Sequence, residues 1–164
     1  MVEVLVTTAV TVVAFAGLAT LQVLSLRAAD SALERTQAST LATEMMERMR
    51  ANRDAAGTGA YNGKTLCKGS TACDVSAVDC GEDPPTNAIY RDLEALWCGL
   101  EQSGMPNWYA AIQAPGDPSP STVAIRWDDS RAEAKGSTTA ADRPSCLGGT
   151  IPAGGQEVCL TTQL

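Results

Sequence analysis

The chain of 164 residues has no histidine. A histidine general base, a Ser–His–Asp arrangement and imidazole metal ligands are therefore excluded. Aromatic residues make up only 4%, so a core must rest on Ala, Val, Leu, Ile and Met. Positive charge is scarce as well: 12 Lys+Arg stand against 19 Asp+Glu, for a formal net charge of -7. Phosphate neutralisation needs a basic face, so no nucleic-acid partner is expected. The chain has no G-x-S-x-G phrase, no phosphate-cradling glycine loop and no metal-ligand cluster. The acids Asp79, Glu82 and Asp83 lack the spacing of a calcium loop. Together these absences point away from an enzyme and from a resident metal or cofactor.

Charge is also missing where it would be most informative. From Val4 to Leu26 there are 23 residues with neither a charge nor a proline. As a helix this run would be roughly 35 Å long, enough to cross a bilayer core of about 30 Å. No proline forces a kink, and Gly17 is its only strong helix weakener. Thr7, Thr8, Thr11, Thr20, Gln22 and Ser25 interrupt the apolar character. They suit either a simple anchor or a helix that lives both in lipid and among neighbouring helices. Glu3 precedes the run, either at the interface or reserved for a partner's cation. A secretory signal peptide would start basic, with an apolar region of about 7–15 residues. The acidic start and the longer run therefore read as a retained segment.

Arg27 ends the run, and an amphipathic pattern follows without a break. Leu33, Ala38, Leu41, Ala42, Met45 and Met49 recur at helical spacing and mark one face. Glu44 and Arg48 form a favourably oriented i,i+4 pair. Met45, Met46 and Met49 read as packing rather than as a ligand box. The pattern predicts one continuous helix from Val2 to Asp54, stopped by Gly57 and Gly59.

These residues resemble a known family. Val2-Glu3-Val4-Leu5-Val6 ahead of a long apolar helix resembles the mature N-terminus of type IV pilins and pseudopilins. The stretch from Gln37 to Asn52, QASTLATEMMERMRAN, is similar to a phrase of the PilV group of minor pilins, also called type IV pilus modification proteins. Cys67-x5-Cys73, Arg91-Asp92-Leu93-Glu94 with Trp97, Ile125-Arg126-Trp127-Asp128-Asp129 and the terminal Leu160-Thr161-Thr162-Gln163-Leu164 agree with it. The N-terminal phrase alone fits a type II secretion pseudopilin equally well. In the family a prepilin peptidase exposes an amine that is then methylated. Two further residues usually precede the position of Met1, so the methylated residue is not placed in this sequence.

Beyond the helix, 55–87 is rich in Gly, Ser, Thr, Asp and Pro and reads as a loop. Ala88 to Gln102 predicts a short amphipathic helix, with Asp92 and Glu94 as solvated charges. Three strands are expected: Trp108–Gln113, Thr122–Trp127 and Glu157–Thr162. The APGDPSPS segment turns the chain between the first two. The stretch 129–155 is too polar to bury, and Asp128-Asp129 fits a turn after a strand better than a catalytic pair. The candidate disulfide residues are Cys67, Cys73, Cys80, Cys98, Cys146 and Cys159. Six cysteines allow fifteen pairings. Proximity alone suggests Cys67–Cys73, Cys80–Cys98 and Cys146–Cys159. Zinc is the rival, but the first four cysteines are separated by five, six and seventeen residues, with no C-x2-C.

The expected class is α+β, with a long N-terminal helix packed on a small antiparallel sheet, the type IV pilin plan. Residues 1–27 would form the transmembrane and filament-core half of the helix, and 28–164 the periplasmic or extracellular head. The resemblance implies a structural minor pilin in a tip or priming complex that initiates pilus assembly and supports adhesion or motility. The alternative is a minor pseudopilin of a type II secretion system. Implied partners are other minor pilins, the major pilin, a PilY-type tip adhesin and the inner membrane before assembly. Glu3 would pair with the N-terminal amine of a neighbouring subunit.

Overall fold

The computed structural model describes residues 2–68, 73–75, 80, 87–128, 143–148, 150–151 and 155–163. Met1, Asp79, Glu82, Asp83 and Asp129 lie outside them. Helix α1 runs from Val2 to Ala51, followed by the single turn α2, Arg53–Gly57. Then come β1 (Lys64–Cys67), α3 (Ala88–Gln102), β2 (Tyr109–Gln113), β3 (Ser121–Asp128), β4 (Arg143–Pro144), β5 (Thr150–Ile151) and β6 (Gly155–Thr162).

The long helix stops three residues earlier than its pattern predicts. Asn52 leaves the helical region, with φ -105° and ψ 53°. Its side-chain amide donates instead to the Tyr61 hydroxyl at 2.8 Å. The chain then makes α2 and turns through Gly59, whose φ is 75°. An added Cβ there would meet the Pro115 carbonyl oxygen at 3.0 Å, so this turn favours glycine.

Four antiparallel strands form the sheet in the order β1-β2-β3-β6. Three were expected. The fourth, β1, lies inside the segment read as loop, where Leu66 sits opposite Ala110 and Cys67 opposite Tyr109. Its outer edge is partly covered by Val75, which exchanges backbone hydrogen bonds with Thr65 and Cys67 at 3.2 Å. The polar stretch 129–155 also contributes a two-stranded ladder of β4 and β5.

One face of the sheet carries the core. Leu66, Ala110, Ile112, Val123, Ile125 and Trp127 meet Ala38, Ala42, Met45, Met46 and Met49 of α1 and Leu93, Leu96, Trp97 and Leu100 of α3. With so few aromatics, Met fills the irregular spaces, while Trp97 and Trp108 make an edge-to-face contact with centroids 5.8 Å apart. The helix runs along β6, held at one end by Arg35 donating to Gln156 (3.2 Å) and at the other by Arg50 donating to Thr162 (2.7 Å). Leu33 does not join the apolar face: it stays 56% exposed. It stands sixteen residues before Met49, about 4.4 turns, and so points to nearly the opposite side.

Three disulfides join Cys67 to Cys73, Cys80 to Cys98 and Cys146 to Cys159. The second ties the loop to α3, and the third ties the segment after β4 to β6.

Candidate functional site

Among the described residues, the most extensive apolar surface without a covering layer is the first half of α1. Every residue from Val2 to Asp30 is exposed, including Val4, Leu5, Val10, Val13, Phe15, Leu21 and Leu24. The helix is long and apolar enough to cross a membrane, with a mean hydropathy of 2.2 over its most apolar window. Water disfavours such a surface, so a lipid or protein environment must cover it.

The threonines do not spoil that fit, because their hydroxyls are used within the helix. Thr7 donates to the carbonyl of Glu3 at 2.9 Å, Thr8 to Val4 at 2.9 Å, Thr11 to Thr7 at 2.7 Å and Thr20 to Ala16 at 3.0 Å. No lipid or neighbour is needed to satisfy them. Glu3 lies in the first turn, exposed, where a carboxylate complements the positive end of the helix dipole.

Around the sheet, the described polar groups that gather join separate elements of the fold. The Tyr61 hydroxyl donates to Asp92 at 2.5 Å and accepts from Asn52. Arg48 reaches the other Asp92 oxygen at 3.8 Å and holds Glu44 at 2.6 Å. Asp92 is therefore a seated acceptor rather than the solvated helix charge its position suggests. Tyr61 is fully buried, and that burial, with the hydrogen bond to Asp92 second, pushes its phenol well above the ordinary range.

Two carboxylates, the exposed Asp74 and the half-buried Glu101, are shifted the other way. Asp74 is held below the usual range first by the Thr65 backbone N–H and then by the Thr65 hydroxyl, both at 2.9 Å. Glu101 is lowered chiefly by its hydrogen bond from Lys68 at 2.9 Å.

On the outer face of the sheet, Tyr109, Arg126 and Glu157 stand side by side across three strands. The Arg126 guanidinium lies 5.7 Å from the Tyr109 ring centre and donates to Glu157 at 2.6 Å. Glu157 also accepts from the Ser145 hydroxyl (2.9 Å) and the Cys146 N–H (3.2 Å). Cys146, Glu157 and Cys159 are close enough together to resemble a metal cluster. Both sulfurs are bonded to each other and the carboxylate is occupied, so this trio does not fit a metal. All six cysteines are oxidised, which leaves no thiolate for zinc.

Sequence reasoning singled out Glu3 and the cysteines. It missed the Tyr61–Asp92 contact and the Tyr109–Arg126–Glu157 row, which join residues far apart in the chain.

Among known families, the model of the Tt1218-like family, described as type IV pilin Tt1218, matches residues 20–90. The match begins in the last part of the uncharged run and ends in the first turn of α3. It supports a type IV pilin family. The long N-terminal helix with a small antiparallel four-stranded sheet is consistent with the type IV pilin fold. No curated protein and no solved structure matches the chain.

Proposed function

We propose that this chain is a minor pilin: a structural subunit of the type IV pilus that works in a tip or priming complex and has no catalytic role. The observation that carries the reading is the bare first half of α1, continuous with a stretch similar to a type IV pilin. Residues 1–27 wait in the inner membrane and then pack among the helices of other pilus subunits. Residues 28–164 form the head, in the periplasm first and at the outer end of the fibre afterwards. Other minor pilins, the major pilin and a PilY-type tip adhesin are its partners.

Glu3 is the assembly residue in this reading. In the bilayer it rests at the interface. In the fibre it pairs with the N-terminal amine of a neighbour, where an unpaired carboxylate would be strongly unfavourable. The pairing sets the register of one helix against the next.

The test is recovery of the full chain from sheared pili. Wild type is expected in the fibre fraction together with pilus subunits. Glu3→Ala is expected to remain in the membrane fraction and to be depleted from the fibre. Normal incorporation of Glu3→Ala removes the pairing role. Recovery of wild type with secretion pseudopilins, and not with pilus subunits, replaces the pilus by a type II secretion system.

A further inference from the structure

Four of the polar side chains in the uncharged run satisfy themselves, but two do not. Thr7, Thr8, Thr11 and Thr20 donate to carbonyls of their own helix, whereas Gln22 and Ser25 have no hydrogen-bond partner among the described residues. Gln22 carries two amide donors and a carbonyl acceptor that a lipid chain cannot meet.

Its position gives it no easy way out. Gln22 precedes Arg27 by five residues, so its Cα lies about 7 Å inside the charged end of the run. Side chains on a helix lean toward the N-terminus, which here is toward the bilayer centre. Arg27 can reach the water, but Gln22 leans away from it.

The head does not cover this side. Ala42 and Met49 stand twenty and twenty-seven residues beyond Gln22, about 5.6 and 7.5 turns. The face they bury against the sheet is therefore roughly opposite the face that carries Gln22. A second helix can approach Gln22 without meeting its own head domain.

We infer that Gln22, with Ser25 one turn later, is a contact point between two copies of this chain lying parallel in the bilayer. The occupant follows from the chemistry: a primary amide is its own complement, and a parallel copy presents the same amide at the same depth. Each Gln22 donates to the carbonyl oxygen of the other, and Ser25 supplies a further donor. This inference rests on the reading that the run lies in a membrane, and it adds the face by which copies meet there.

The experiment uses the full chain, labelled with donor or acceptor dye at its C-terminus. It is placed in phosphatidylethanolamine/phosphatidylglycerol vesicles, and energy transfer is followed as the lipid-to-protein ratio rises. Wild type is expected to self-associate. Gln22→Leu is expected to weaken association about three- to thirty-fold, and Gln22→Asn to retain most of it. Thr20→Leu removes a hydroxyl already satisfied within the helix, and should leave association unchanged. A monomeric wild type, a Gln22→Leu chain that associates like wild type, or an equal loss in Thr20→Leu overturns the inference. If Gln22→Leu behaves as wild type in vesicles while wild type is still recovered from pili, only this inference fails. Absence of wild type from pili overturns the pilin reading itself.

Discussion

The Tyr61 hydroxyl sits 2.5 Å from a carboxylate oxygen of Asp92, thirty-one residues away in sequence. With Asn52 on its other side, Tyr61 joins the end of the long helix to α3. Tyr61→Phe keeps the ring in the core but removes the hydroxyl between one Asp92 oxygen and the Asn52 amide, leaving Asp92, among the described residues, only its contact with Arg48. We expect a loss of about 1–3 kcal/mol in stability, read by urea unfolding of the full chain in detergent micelles. A variant as stable as wild type would show that the contact is inert. The raised phenol also sets a sign. Above about pH 10 the unfolded chain releases this proton and the folded one resists. Tyr61 therefore stabilises below that pH, and its contribution is lost as pH rises, a loss absent from Tyr61→Phe.

At acid pH the direction is reversed. Asp74 and Glu101 are lowered in the folded chain, so the unfolded chain takes up protons first as pH falls. Their contribution is present above the ordinary carboxylate range and is lost as pH drops through their folded values. Carboxyl NMR titration of Lys68→Met should show Glu101 move up toward ordinary glutamate, with Asp74 unchanged. Thr65→Val should raise Asp74 only in part, because the backbone N–H of residue 65 remains.

The three disulfides close loops of different size. Cys80–Cys98 spans 18 residues of sequence and Cys67–Cys73 spans 6. Loop-closure entropy predicts that removing the larger costs more, by about 1 kcal/mol for a threefold difference in length. Paired serine replacements compared by urea unfolding measure this. An equal loss in both would assign the stabilisation to local contacts instead.

Glycine 116 should tolerate far less than glycine 99. Gly116 has φ 94°, and an added Cβ would lie 2.5 Å from the Gly57 carbonyl oxygen. Neither backbone can yield, so Gly116→Ala should cost about 2–4 kcal/mol. At Gly99 the same atom would meet only the Leu41 side chain, nearest at Cδ2, the end of a movable and half-buried group. Alanine also favours the helix there, so Gly99→Ala should change stability by about 1 kcal/mol or less.

The helices were legible because their signals are local. Asn87 accepts from the Ile89 N–H and caps α3, and Leu93, Leu96 and Leu100 repeat at helical spacing toward the core. Strand β1 was hidden for the opposite reason. Lys-Thr-Leu-Cys is short, it follows a glycine, and what makes it a strand is pairing with residues more than forty positions later. Asp92 shows the same limit: its seat is made by a tyrosine in another segment. Leu33 fitted the apolar repeat by type but not by angle, and the head reaches only one side of the rod. Glu3 was visible through the uncharged run that frames it, and its proposed partner belongs to another chain.

All three tryptophans, Trp97, Trp108 and Trp127, are buried in the head, and none occurs in the bare rod. Intrinsic fluorescence therefore watches the head alone, while much of the far-ultraviolet dichroism comes from the 50-residue helix. On heating, the two optical signals act as separate thermometers for the two ends of one molecule. If the rod is sheltered by lipid, the emission should change while a large part of the helical ellipticity survives.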